Sequence, residues 1–488
     1  MMNFLSVVNN SQRPALYNKK VDIKIKGMNK MNEIIQKQRD FFNSGITHNY
    51  RFRLDNLNRL HNMITAHEDM ICDALYHDLH KSYYESFETE VGTVLTEITY
   101  LKKHLRCLMR PQIKNTPLSQ FSSHSFVYPR PYGVVLNVSP WNYPFQLALS
   151  PLAGSIASGN CTIIKPSEYA PHTAKVITQL LSETFDLAYV KCVEGDHHVV
   201  EELIAAAPDY LFFTGSPATG KKIMTQAAAN LVPITLELGG KSPCIIDESA
   251  NINIAAKRIV WGKFMNAGQT CIAPDYLIVH QKVKQKLIDA LINDITTMYS
   301  DTPLESPLYP HIVNEKQYLR LKQLFVQTTK ANEKVDFIGP AFDDDQHIIA
   351  PTLIPEATFA SPFMQEEIFG PVLPIITYEN LDEIIKKLQQ MEHPLALYVF
   401  SKKRKHIKRI TRSISFGGGC INDVVSQFAS DDLPFGGVGN SGMGHYHGKY
   451  SFETMTHYQA ILKKNNWFDL PWKYLNHQNI KILKMFLS

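Results

Sequence analysis

The spacing of apolar positions changes near Pro131. Upstream of it, from Met31 onward, the spacing is helical: Leu57, Leu60, Ile64, Ile71 and Leu75 share one face, with Asp55, Arg59, His67 and Glu68 elsewhere. A second helix carries Val91, Val94, Leu95, Ile98 and Leu105. Nothing in these segments asks for chemistry, and they read as scaffold. Downstream, short apolar runs at Tyr132–Val138, Cys161–Ile164, Tyr189–Val193 and Tyr210–Phe213 predict buried strands, with helical patterns at Ala174–Phe185 and Val199–Ala206 between them. The second half repeats the alternation, with helical Lys284–Ile295 and Leu381–Leu388 among apolar runs Tyr276–Val279, Val372–Ile376 and Leu395–Phe400. Strands alternating with helices predict an α/β fold with parallel sheets. Ligands of such sheets bind beyond the carboxyl ends of the strands, so the residues after each strand are the candidates.

Composition narrows this only slightly. A chain of 488 residues with 44% hydrophobic content predicts two or three domains of about 100–200 residues each. A net charge of +4, with no basic block interleaved with aromatics, gives no case for nucleic-acid binding. The seven cysteines (72, 107, 161, 192, 244, 271 and 420) show no CxxC pair and no metal-type spacing, which points to free thiols in a reducing compartment. No apolar run approaches the roughly 18 residues of a membrane span. The expected location is cytoplasmic. Residues 1–27 lack sustained periodicity and are expected to be a disordered tail or a start assigned too early, with Met28 and Met31 as alternative starts.

Candidate chemistry lies at the strand ends. After the first comes Ser139-Pro140-Trp141-Asn142-Tyr143-Pro144, a Pro-bounded turn whose Asn142 amide is a donor for a developing oxyanion or a turn asparagine satisfying its own backbone. After the second comes Lys165-Pro166-Ser167-Glu168, either a grip on sugar hydroxyls or a solvated helix start capped by Ser167. After the fourth, Gly215-Ser216-Pro217-Ala218-Thr219-Gly220-Lys221-Lys222 opens a helix with two glycines and forms an anion site. Lys222 stands where a P-loop needs its Mg-binding hydroxyl, which excludes an ATPase or kinase but leaves a dinucleotide. Gly437-Val438-Gly439-Asn440-Ser441-Gly442 spells GxGxxG without a preceding buried strand and reads as a structural loop. Glu237 sits inside the apolar run Thr235–Leu238, where burial would raise its pKa towards that of a general base; a strand-end salt bridge is the alternative. Cys271 lies in the small-residue turn Gly268-Gln269-Thr270-Cys271-Ile272-Ala273-Pro274, a setting for a nucleophile or for an inert loop thiol. Glu366-Glu367-Ile368-Phe369-Gly370-Pro371 says little alone.

Together these pieces are far more specific. The pairing of Leu236-Glu237-Leu238-Gly239-Gly240-Lys241 with Phe264-Met265-Asn266-Ala267-Gly268-Gln269-Thr270-Cys271 resembles the aldehyde dehydrogenase superfamily. Asp78-Leu79-His80-Lys81-Ser82, Cys271-Ile272-Ala273-Pro274-Asp275-Tyr276, Leu433–Gly439, Ser441-Gly442-Met443-Gly444 and His447-Gly448-Lys449-Tyr450-Ser451-Phe452 are similar to its class 3 branch, the fatty, aromatic and coniferyl aldehyde enzymes. The resemblance runs from about residue 28 to the end. It implies a dinucleotide-binding domain at 28–112 and 131–236, a catalytic domain at 237–445, and a bridging and oligomerisation segment at 113–130 and 446–488. It implies Cys271 as nucleophile, Asn142 as oxyanion donor and Glu237 as the base that activates water. For the cofactor it implies Trp141, Lys165, Ser167, Glu168, Gly215, Ser216, Gly220, Leu238, Glu367 and Phe369. It implies NAD as cofactor, since the Glu168 carboxylate would hydrogen-bond ribose hydroxyls and repel a 2′-phosphate, with NADP also admitted because class 3 enzymes with such a Glu accept both. The partner is a small-molecule aldehyde, and a homodimer is expected.

No metal is expected. His445 with His447, and His197 with His198, lack carboxylate or Cys partners at coordinating spacing. Gln427 stands where class 3 relatives often carry His and is expected to alter the substrate-side wall, while Arg130 stands where an acidic residue is usual. Two other classes remain open: a CoA-acylating relative or thiol acyltransferase, which would have no need of Glu237 as a hydrolytic base, and a structural protein on the same fold.

Overall fold

The computed structural model describes residues 30–469 and 480–487, so the expectations for residues 1–27 lie outside the described residues, as does part of the closing segment. Val134–Val138, buried at every position, forms the middle of a six-stranded sheet. Cys161–Lys165 and then Val190–Cys192 lie on one side of it, Tyr210–Gly215 and then Ile234–Leu238 on the other, all parallel. The chain therefore winds outwards one way, returns, and winds the other way. That leaves a topological switch between Val134–Val138 and Tyr210–Gly215, where such sheets open a crevice beyond their carboxyl ends. The short strand Gly442–Met443 closes the edge antiparallel, with Gly442 opposite Glu237. The GxGxxG stretch thus ends as an edge strand, and Gly437 is packed so tightly that a Cβ would sit 2.0 Å from the Ser441 carbonyl.

A seven-stranded sheet runs in the order Asp336–Phe337, Thr352–Ile354, Val372–Tyr378, Tyr276–His280, Pro243–Ile246, Ala396–Phe400, Gly418–Ile421, parallel except for the first pair. Helices Ile252–Phe264 and Lys284–Tyr299 bury their apolar stripes against one face. Glu315–Lys330, Leu381–Gln389 and Arg404–Ser413 cover the other. A third sheet pairs Ser123–Pro131 with Thr456–Lys464 antiparallel, with Gln112–Lys114 on the outer edge. Its central strand runs on to Pro131, beyond the bridging segment the sequence suggested.

The N-terminal apolar face is divided between two helices, Tyr50–Ala66 and Glu68–Leu79, broken at His67. Leu57, Leu60, Ile64, Ile71 and Leu75 are all fully buried. A π-helical turn, Phe87–Val91, leads into the helix Gly92–Leu108. This region is more than scaffold, because its charged residues reach the turn at Asn142.

Candidate active site

The loops after strands Val134–Val138, Cys161–Lys165, Tyr210–Gly215 and Ile234–Leu238 converge on a cleft of about 1490 Å³. Cys271, Glu237, Asn142, Trp141, Lys165, Ser167, Glu168, Gly215, Ser216, Leu238, Glu367 and Phe369 all line it. Gly220 does not. It is buried one turn into the helix Pro217–Ala228, where a Cβ would sit 2.6 Å from the Leu238 side chain, so its bareness lets helix and strand approach closely.

Cys271 follows a kinked turn. The helix Ile252–Phe264 ends, and Asn266, Ala267 and Gly268 then take φ values of 52°, 49° and 72°. Two consecutive non-glycine residues in the left-handed region cost energy and persist only where the surroundings enforce them. Here the Glu85 carboxylate accepts the Asn266 N–H at 2.7 Å, and Gln269 Nε2 donates to the carbonyls of Asn266 at 3.0 Å and His311 at 2.9 Å. Glycine at position 268 is required, since a Cβ would fall 2.3 Å from the Gly370 carbonyl. Cys271 is a half-buried residue on the cleft wall. Burial, then the carboxylates of Glu367 and Glu237, push its thiol up to about 12, while the N–H groups of Cys271 and Ile272 pull it back.

Asn142 is 3% exposed, and its Nδ2 donates to the Gln269 carbonyl at 3.0 Å. It is therefore not a turn asparagine serving its own backbone. Its own carbonyl accepts from Asn266 Nδ2 at 2.7 Å and from Lys81 Nζ at 2.9 Å. The neighbouring Tyr143 hydroxyl is 2.6 Å from Thr270 Oγ1. Asn142 and Tyr143 thus hold the two residues immediately before Cys271.

Glu237 is 2% exposed, and neither carboxylate oxygen has a hydrogen-bond partner among the described residues. The salt-bridge alternative is not what the structure shows. Desolvation alone raises its pKa well above the usual carboxylate range. A buried, unpaired carboxyl group is costly to maintain, and such groups gather at functional sites.

At the other end of the cleft, Lys165 is 3% exposed and its Nζ lies 2.7 Å from Glu168 Oε2, so it is not a solvated helix start. Ser167 accepts the Tyr169 N–H at 3.2 Å but caps no helix; the helix begins at Pro171, with Ala170 before it. Ser216 does cap one: it accepts the Thr219 N–H at the start of Pro217–Ala228. Trp141 and Phe369 meet edge to face at 5.4 Å. The Glu367 carboxylate lies against bare Gly239, where a Cβ would fall 2.1 Å from it. Burial and then Asp275 push its pKa up to about 8. Lys241 ties these loops together through Asp275 and the carbonyls of Phe363 and Glu366.

Three sequence expectations are corrected. His447 does have carboxylate neighbours, Glu97 Oε2 at 2.8 Å from Nδ1 and Asp431 Oδ1 at 3.6 Å from Nε2, both brought by distant segments. His197 and His198 likewise gather beside Asp196 on an exposed helix start. Gln427 is absent from the cleft wall: it faces Cys420 and donates to the Tyr398 hydroxyl, which in turn holds the Ile272 carbonyl at 2.6 Å. Lys81, Glu85 and Glu90 support the site and were not read as such. Lys81 entered only as part of the Asp78–Ser82 motif, and Glu85 and Glu90 only as charges in a helical stretch, which usually mark a solvated face.

The crevice at the switch point thus brings together a thiol on a strained turn, a buried amide and an unpaired buried carboxyl group. Residues 10–461 match the Aldehyde dehydrogenase family, starting earlier than the motif resemblance and stopping short of the end. The chain belongs to that family. It is 47% identical over 438 residues to the 4,4'-diaponeurosporen-aldehyde dehydrogenase of Staphylococcus aureus, covering 89% of this chain and 95% of the relative. It is 40% identical to aldehyde dehydrogenase family 3 member B1 of Homo sapiens, over 90% of this chain and 92% of that one, which bears out the class 3 resemblance. The solved structure of Staphylococcus aureus AldH in a substrate-bound state superposes with a TM-score of 0.91 at 44% identity, covering 93% of this chain and 99% of that one. Among the described residues no helix is long and apolar enough to cross a membrane.

Proposed function

We propose that this enzyme oxidises a long-chain aliphatic or aromatic aldehyde, coniferyl aldehyde among the candidates, to the carboxylic acid with NAD, NADP also being accepted. The observation that carries this reading is the convergence of Cys271, Asn142 and the unpaired Glu237 on one cleft. The Cys271 thiolate attacks the aldehyde carbon, and the carbonyl electron pair moves to oxygen. That oxyanion lies within the donor field of Asn142 Nδ2 and the Cys271 N–H. As the C=O bond re-forms, the carbon loses hydride and Cys271 holds a thioester. Glu237 then takes a proton from water, the hydroxide attacks the thioester carbon, and the C–S bond breaks to release the acid and the thiolate.

The residues fit a nicotinamide dinucleotide, which when bound supplies the hydride acceptor. Lys165 and Glu168 suit the adenosine ribose, and Gly215 and Ser216 the pyrophosphate at the helix start. Glu367, Phe369, Trp141 and Leu238 suit the nicotinamide end. Glu168 disfavours a 2′-phosphate. On the Cys271 side the wall includes Trp261, Met265, Val425, Phe428, Phe435 and Tyr446, which suits an apolar substrate. The relative named 4,4'-diaponeurosporen-aldehyde dehydrogenase supports an aldehyde as the substrate. The exposed edge Gln112–Lys114 supports a homodimer.

The test is NADH formation with a panel of aromatic and long-chain aldehydes, with and without CoA. CoA-independent NADH and free acid are expected; strictly CoA-dependent turnover would move the reading to an acylating enzyme. A pH dependence is expected as well. With the ligand-free thiol pushed up to about 12, alkylation of Cys271 by iodoacetamide, read by peptide mapping, should rise about tenfold per pH unit from 7 to 9. A rate already at its plateau at neutral pH would contradict the protonated resting thiol.

A further inference from the structure

We infer that the buried Lys81–Glu90 ion pair is a positioning device for Asn142, setting the oxyanion donor against Cys271; this rests on the oxyanion role proposed for Asn142. Both side chains are fully buried, with Lys81 Nζ 2.5 Å from Glu90 Oε1. Burying two charges is often no more stabilising than packing apolar groups of the same volume, so the pair is best explained by what it touches. Lys81 Nζ donates to the Asn142 carbonyl at 2.9 Å and lies 3.9 Å from the centre of the Tyr143 ring. Glu90 Oε2 accepts the N–H groups of Phe145 and Gln146, both at 2.9 Å, at the start of the wholly buried helix Gln146–Ser158. The carboxylate therefore satisfies orphan amides at a positive helix end.

The pair grips both ends of the turn 142–146. That turn carries the two side chains that reach Gln269 and Thr270, the residues just before Cys271. The π-helical turn Phe87–Val91 contains Glu90, and such insertions mark functional sites. With Asn266 Nδ2 on the same carbonyl, the Asn142 peptide is held from two sides, leaving its amide little freedom. A donor must sit within about 0.5 Å of its productive position to stabilise charge. Neither Lys81 nor Glu90 lines the cleft, so they act through Asn142.

The experiment is a mutant cycle on cofactor-free hydrolysis of p-nitrophenyl acetate, which needs the thiol and the oxyanion donor but no nicotinamide. Lys81→Met and Glu90→Gln should each lower kcat about ten- to hundredfold, with KM changed less than about twofold. In an Asn142→Ala background the same changes should lower kcat less than about twofold further, because the donor they position is gone. Equal losses in both backgrounds, or an unchanged kcat in Lys81→Met, overturn the inference. Glu90→Gln keeps an oxygen for the Phe145 and Gln146 amides, so it carries the cycle alone if Lys81→Met does not fold, as judged by circular dichroism and thermal melting. If the wild type makes no NADH from any aldehyde, the dehydrogenase reading fails while the ester cycle still decides the positioning role.

Discussion

Cys271→Ala eliminates aldehyde-dependent NADH formation, with kcat reduced at least about 10⁴-fold. Without the sulfur there is no covalent intermediate, and water at the same place is a far weaker nucleophile. Removing the side chain should leave the turn in place, because the turn is held by Glu85, Gln269 and the tight contact at Gly268 rather than by the thiol. Cofactor affinity, followed by quenching of protein fluorescence, is therefore expected to stay within about threefold of wild type, since binding contacts and chemistry separate in such variants. Retained turnover would assign the chemistry to another group.

Glu237→Gln separates the two halves of the reaction. The amide occupies the same volume but takes no proton from water, so the thioester forms and is not hydrolysed. One equivalent of NADH per site should appear in a burst, with later turnover lowered about 10²–10⁴-fold. The substitution also bears on stability. The folded-state pKa of Glu237 is raised above its unfolded value, so its stability contribution is fully present at low pH and is lost as pH rises through the folded pKa. Glutamine does not titrate. The melting temperature of the variant should therefore gain on wild type as pH increases, and a difference independent of pH would contradict the assigned burial effect. A residue that weakens the fold and is required for turnover is one retained for chemistry.

Much of this was legible in the sequence because it is local. The strands Val134–Val138, Cys161–Lys165, Tyr210–Gly215 and Ile234–Leu238 are short, mainly apolar runs bounded by turns, and parallel connections place the loops after them on one edge. Ser216 and Pro217 read as a helix start and are one. Asn142 in a Pro-bounded turn, Glu237 inside an apolar run and Cys271 in a small-residue turn were candidates, each with an inert alternative until the motifs were read together. The features that were not legible depend on side-chain direction and on contacts between distant segments. Lys81 lies in the short link between Glu68–Leu79 and Tyr83–Ser86, Glu85 and Glu90 in helical turns, all places where charge ordinarily faces water, and only the fold turns them inward onto the turns at Asn142 and Asn266. Glu97 and Asp431 lie far apart in the chain, and only the fold brings both to His447, so spacing alone could not pair them. Gln427 sits in a stretch whose neighbours Val425, Ser426 and Phe428 face the cleft, and a single residue's rotation points it towards Tyr398 instead. Gly220 fits an anion-binding spacing and a helix-packing need equally well, and the structure shows the packing.

In the proposed mechanism the aldehyde carbon becomes covalently bound to Cys271 and is released by Glu237. The direct measurement is intact-protein and peptide mass spectrometry of Glu237→Gln after mixing with NAD and a medium-chain aldehyde. One acyl group per chain is expected, as a thioester on the peptide containing Cys271, appearing with the burst of NADH and absent from Cys271→Ala. A burst of NADH with no acyl mass on that peptide, or acyl mass on another residue, would contradict the mechanism.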